Sequence, residues 1–231
     1  MTSSAVDQLG VSGAAPDARP AARRPLLVVI ATLVVAALVA ASVALGYAWG
    51  NSGTTSSAPS ATSVDAGFAR DMSTHHQQAI TMASYTRDNT SDPAIKLLAF
   101  DIESGQTFQV GEMQGWLDVW GLSRQSTDPM AWMAGHAHLQ TDGLMPGMAT
   151  PAQISMLQTL RGKALDVLFL QLMIHHHQGG LTMAQYAQQH AQFGYVRDLA
   201  QSMINAQSGE IVQMEQLLRS LGATALPAPS N

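Results

Sequence analysis

Residues 72–83 read MSTHHQQAITMA, and residues 173–184 read MIHHHQGGLTMA. The two strings are 101 positions apart, and at that offset residues 65–121 align with 166–222 without a gap. Sixteen of the 57 pairs are identical, including Asp65/Asp166, Phe68/Phe169, Met72/Met173, His75/His176, His76/His177, Met82/Met183, Gln106/Gln207, Met113/Met214 and Gly121/Gly222. A constant offset over that length marks an internal duplication.

Each copy reads as a helical hairpin. The first helix is expected from about Asp65 to Asn89. Asp92-Pro93 then supplies an N-cap and a first-turn proline for a second helix reaching about Trp120. In the second copy the helices are expected from about Lys163 to His190 and from about Tyr195 to Leu221. Gly121 and Gly222 stand where a C-terminal glycine belongs. No stretch alternates with the period of a half-buried strand. Residues 122–149 form a Met/His/Gly loop, and Thr150-Pro151-Ala152-Gln153 is a capping box opening a short helix. Two hairpins joined by one long connection give an all-α expectation: a ferritin-like four-helix bundle, preceded by one transmembrane helix.

That preceding helix is read from Leu26 to Trp49, 24 positions without a charge. At 1.5 Å per residue such a segment spans a hydrocarbon core of about 30 Å. Arg19, Arg23 and Arg24 precede it and no Lys or Arg follows until Arg70, which places the N-terminus in the cytoplasm and the rest outside. A cleaved signal peptide, giving a secreted domain, is the rival reading. The expected organisation is a disordered cytoplasmic tail over 1–25, the anchor over 26–49, a flexible Ser/Thr/Ala stalk over 50–63, a helical domain over 64–222 and a disordered tail over 223–231.

Composition removes several function classes. Lys and Arg number 11 against 16 Asp and Glu, for a net charge of −5, and no basic run exists, so nucleic acid is not an expected partner. The absence of cysteine excludes disulfides, thiolate zinc sites, iron–sulfur clusters and a cysteine nucleophile. No nucleophile elbow or phosphate-cradling glycine loop occurs, and none of the carboxylates Asp101, Glu103, Glu112, Glu210 and Glu215 is paired with another by the repeat, so an enzyme is not expected.

The repeated His and Met carry the functional reading. Asp65, Met72, His76 and Met82 are read as one stripe of the first helix, with His75 about 80° to one side. Asp166, Met173, His177 and Met183 repeat the stripe, flanked by His176. Facing inward, the helices bring imidazoles and thioethers together, and Met113 and Met214 join from the other two helices. Neutral imidazole with soft thioether suits copper, Met favouring Cu(I). Di-iron chemistry wants Glu-x-x-His motifs, which the chain lacks. His76 and His177 are expected as primary ligands, with His75 and His176 beside them. Asp65 and Asp166 are expected to orient imidazoles as hydrogen-bond acceptors. A second cluster in the loop, Met130, Met133, His136, His138, Met145 and Met148, suggests copper capture from solution. Against both stands the plain alternative that a Met at helical spacing fills a core and a buried His is a hydrogen-bonded structural group.

The strings 72–83 and 173–184, with Gln207–Met214, Met113–Leu117 and Gly147–Thr150, resemble the signature of the domain of unknown function family 305. The resemblance covers about 64–222. It implies a ferritin-like bundle, exported or membrane-anchored in bacteria, with some members similar to periplasmic copper-binding proteins. Two departures stand out. Gln109 replaces the Glu usual in the family's second helix, and Gln78-Ala79 becomes Gly179-Gly180 in the second copy. Each glycine loosens its helix by about 1 kcal/mol relative to Ala and lets another backbone or a ligand approach.

The expected function is thus a membrane-anchored extracytoplasmic protein that buffers or delivers copper, handing it to or receiving it from another protein. The alternatives are a structural or protein-interaction domain with His and Met as core, and a metal-dependent oxidase.

Overall fold

The structure, a computed structural model, describes residues 37–45, 57–133 and 143–229. Among them there is no strand, so the all-α expectation holds. From Val64 on, five helices follow one another: α1 (Val64–Asn89), α2 (Pro93–Val119), α3 (Pro151–Thr159), α4 (Gly162–His190) and α5 (Gly194–Ser220). The ends of the four long helices fall within one residue of those read from the repeat.

Two compact units divide the chain, Met1–Ser57 and Ala58–Asn231. In the first, residues 37–45 are helical, with Leu38, Val39, Val43 and Leu45 exposed. The rest of the expected anchor lies outside the described residues, as do residues 1–25. Among the described residues no helix is long and apolar enough to cross a membrane.

Local chemistry explains the helix ends in the second unit. Ser63 accepts from the Ala66 amide, and Asp92 accepts from the amides of Ala94 and Ile95 ahead of the Pro93 first turn. Thr150 and Gln153 form the expected reciprocal capping box. Gly121 and Gly222 take φ of 67° and 69°, the left-handed conformation that closes a helix.

α1 packs against α2, α5 against α4, and the hairpins meet through α1 and α4. The apolar core falls into two clusters. One gathers Met82, Met173 and Met214 with Leu98, Phe169 and Leu218. The other gathers Met72, Met113 and Met183 with Phe68, Leu117 and Trp132. Met72 precedes its His pair and Met183 follows its own, yet they share a cluster, so α1 and α4 run in opposite directions. At 100° per residue Met82 lies about 100° round α1 from Asp65, off the stripe it was grouped with. It is buried nonetheless, as is Met183 on α4, because each central helix is covered on two sides.

Residues 143–149 cross over α4 at one point. A Cβ on Gly179 would lie 2.0 Å from the Pro146 carbonyl oxygen, so only glycine admits this crossover. Gln78, the equivalent residue of α1, holds the same segment from the other side, donating to and accepting from the Ala149 backbone. The tail expected to be disordered from 223 is partly docked. Gln171 donates to the Thr224 carbonyl, His175 Nδ1 donates to the Pro227 carbonyl, and Ala223 and Leu226 pack on the core. The last six residues of the expected stalk, 58–63, belong to the compact unit, tied down by Arg70 donating to the Ala61 carbonyl.

Candidate metal centre

Between the two apolar clusters lies a layer of imidazoles: His75 and His76 from α1, His176 and His177 from α4, all at most 1% exposed. Consecutive helical residues point about 100° apart, so each pair serves two interfaces. His75 and His176 face across the α1–α4 contact, their ring centroids 3.8 Å apart. His76 reaches α2, where its Nε2 meets Gln109 Oε1 at 2.8 Å. His177 reaches α5, where its Nε2 meets Glu210 Oε2 at 2.7 Å.

The partners fix the tautomers. His75 Nε2 contacts the Pro146 carbonyl and His176 Nε2 the His75 carbonyl, both at 3.0 Å. Carbonyl and carboxylate oxygens only accept, so Nε2 carries the hydrogen in each ring and Nδ1 keeps a lone pair. The Nδ1 atoms of His75, His76 and His177 are buried with no hydrogen-bond partner. Burial, which disfavours the charged form, pushes His75 down to about 4 and His76 down to about 3, the neighbouring imidazoles adding to the effect. His176 is pushed well below its ordinary value for the same reason. At neutral pH these three rings are neutral, the state that coordinates a metal.

The acceptors expected for the imidazoles are elsewhere. Both oxygens of Asp65 accept backbone hydrogens, from Gln192 and Phe193 at the start of α5, at 3.0 and 2.9 Å. Asp166 accepts from the Thr90 hydroxyl at 2.6 Å. Asp65 stands in the first turn of α1 and Asp166 one turn into α4, where the nearest donors belong to the connection of the opposite hairpin. The acceptor role falls to Gln109 and Glu210. The duplication contained the signal, since the two align at the 101-residue offset and each follows its His by 33 residues. Their unlike chemistry concealed it.

The six repeat-related Met flank the layer, three in each apolar cluster. The loop residues Met130, Met133 and Met145 are also buried, packed over the cluster containing Met72. They roof that end of the domain and do not face solution. Met148 is half-buried, and His136 and His138 lie outside the described residues. Among the described residues no three His, Asp or Glu side chains gather in a metal-holding group. A hard cation demanding six or more oxygens therefore finds no cage of such side chains. The donors that are present, unpartnered imidazole nitrogens bordered by thioethers, fit a soft ion.

The family model for the domain of unknown function DUF305 matches residues 65–218. The chain belongs to the DUF305 family. Among solved DUF305 structures, one from Streptomyces coelicolor, described as a secreted protein, is 46% identical, covering 72% of this chain and 99% of its own, with a TM-score of 0.67. A DUF305 fragment from Deinococcus radiodurans is 29% identical, covering 69% and 95%, at a TM-score of 0.58. CopM in a Cu(II)-bound form is 30% identical, covering 68% and 97%, at a TM-score of 0.53. The Cu(I)-bound form of CopM is 27% identical, covering 68% and 96%, at a TM-score of 0.51. Comparison with curated proteins gives no match.

Proposed function

We propose that this DUF305 protein binds copper outside the cytoplasm, in a ferritin-like four-helix bundle anchored by the apolar segment 26–49, and buffers or delivers the metal without turnover. The observation that carries this reading is the set of three buried, unpartnered Nδ1 atoms on His75, His76 and His177. Three Met lie to either side of them: Met72, Met113 and Met183 in one cluster, Met82, Met173 and Met214 in the other. Imidazole nitrogen and thioether sulfur together favour Cu(I). Likeness to CopM, solved with Cu(I) and with Cu(II), supports the same ion. His76 and His177 are the primary ligands in this reading, His75 and His176 the secondary ones.

The test is titration of the compact unit 58–231 with Cu(I), Cu(II) and Zn(II), following binding and unfolding. Copper at 100 times its dissociation constant stabilises the folded state by about 2.7 kcal/mol. His76→Ala combined with His177→Ala should abolish that gain, and an unchanged copper affinity in the double variant would sink the ligand assignment. Membrane anchoring is tested separately, by whether the full chain fractionates with membranes or is released. A scaffold whose His and Met are only core has one observation in its favour, the Nε2 hydrogen bond made by all four imidazoles. Its mark is a stability indifferent to copper and to chelator.

A further inference from the structure

On the side away from the crossover, α2 and α5 leave between them a cavity of about 50 Å³. Gly105, Gln106 and Gln109 line it from α2, and Ala206, Gln207 and Glu210 from α5. These are three repeat-related pairs at the 101-residue offset, so the cavity straddles the pseudo-symmetry axis of the duplication.

Its lining is chemically unsatisfied. Gln106 is 5% exposed, and neither its amide nitrogen nor its oxygen has a hydrogen-bond partner. Gln207 is 4% exposed, and its Oε1 has none either. A buried amide left unpaired is destabilising, and here the cost arises on both sides of one cavity. A water needs roughly 10–15 Å³ of such space, so there is room for a few waters or a partly hydrated ion. Glu210 is the one ionisable residue of the lining, and its carboxylate selects a cation over an anion.

The cavity also reaches the imidazoles. Gln109 and Glu210 are the hydrogen-bond partners of His76 and His177. Gln207 Oε1 lies 2.8 Å from the point where a Cβ on Gly180 would stand, and His75 Cε1 lies 3.3 Å from the same point. Glycine at 180 is what allows Gln207 to reach so deep.

We propose that this cavity is a cation port, where an incoming hydrated Cu(II) ion exchanges water for the oxygens of Gln106, Gln207 and Glu210, donors that suit the cupric rather than the cuprous ion, before passing to the buried imidazoles. The proposal rests on the copper reading above. Glu210 makes the port asymmetric: its carboxylate draws the ion to the His177 side, while the neutral Gln109 only holds His76 in place. Gly105 and Ala206 keep the mouth open, because both are exposed helical positions with minimal side chains. A Cβ on Gly105 would meet nothing within 4 Å, so a larger side chain is accommodated there and covers the opening.

The test uses the full chain with Cu(II) supplied from a coloured chelator, reading uptake and release rates by stopped flow and affinity by competition. Gly105→Leu with Ala206→Leu should slow uptake and release together by about ten-fold or more, as expected for a gated site, with the dissociation constant unchanged. Gly111→Leu, on the same helix, exposed and also without neighbours within 4 Å, should leave every rate unchanged. Glu210→Gln should slow uptake and weaken its salt dependence, since the carboxylate that concentrates cations is gone. Wild-type rates in both the lid variant and Glu210→Gln, or a lid variant that loses affinity with uptake unslowed, overturn the port and leave the copper reading standing. A wild-type chain that takes up no copper overturns both.

Discussion

The imidazole rings of His75 and His176 lie 3.8 Å apart at a tilt of 34°, and His176 Nε2 donates to the backbone carbonyl of His75 at 3.0 Å. These are the same residue of the two repeats, brought face to face where α1 crosses α4. The hairpins are therefore joined at mid-length by a polar contact, with apolar clusters beyond it at either end. Such a layer is stable only while each buried ring keeps its hydrogen-bond partner.

Removing one ring tests that contact. His176→Ala leaves a cavity at the α1–α4 interface and strips the His75 carbonyl of its ring donor. The metal-free protein should lose about 3 kcal/mol, as expected for a large-to-small core change. Urea denaturation measures it, and a loss below about 1 kcal/mol would mean the ring contact holds nothing together.

The buried imidazoles also set an acid limit. His75 at about 4 and His76 at about 3 lie below the ordinary 6.5, so between these values the unfolded chain binds protons that the folded chain refuses. Stability is full above 6.5 and falls as the pH drops toward 4, by about 1.4 kcal/mol per pH unit for each such ring. Asp71 works the other way, since burial raises its carboxyl and it favours the folded state at lower pH. Folding free energy of the metal-free protein from pH 7 to 4.5 should show the His slope, and His76→Gln should reduce it by one ring's share. A flat wild-type profile would contradict the burial.

Asp65 gives a separable stability prediction. Phe193, at the N-cap of α5, makes no side-chain cap, and the Asp65 carboxylate supplies it from α1. Asp65→Ala should cost about 1–2 kcal/mol, as for loss of an N-cap, and leave copper affinity untouched. A change in affinity without a change in stability would return Asp65 to the metal site.

The glycine pair of α4 should respond unequally to alanine. Gly179→Ala drives a Cβ against the Pro146 backbone, 2.0 Å away, and should cost roughly 1–3 kcal/mol through overpacking. Gly180→Ala meets the movable end of Gln207 at 2.8 Å, and the gain of about 1 kcal/mol in helix propensity offsets much of that displacement. Thermal midpoints of the two variants compare them directly, and equal midpoints would refute the crossover argument.

The local features were legible in the sequence because each depends on neighbours a few residues away. The 101-residue offset, the caps at Asp92 and Thr150, and the closing glycines 121 and 222 define four helices to within one residue. The His pairs on inward faces were legible too, since duplication repeats them in register. Tertiary structure decided which partner each polar group meets. Asp65 turned to α5 and Asp166 to Thr90, because chain crossings bring those donors to the helix ends. Gln109 and Glu210 received the imidazoles; the repeat keeps their 33-residue spacing, but their unlike side chains hid the shared role until packing brought the helices together. The antiparallel course of α1 and α4 sent equivalent methionines to opposite ends of the core. Helix periodicity fixes which face a side chain occupies, but only packing fixes what lies across from it.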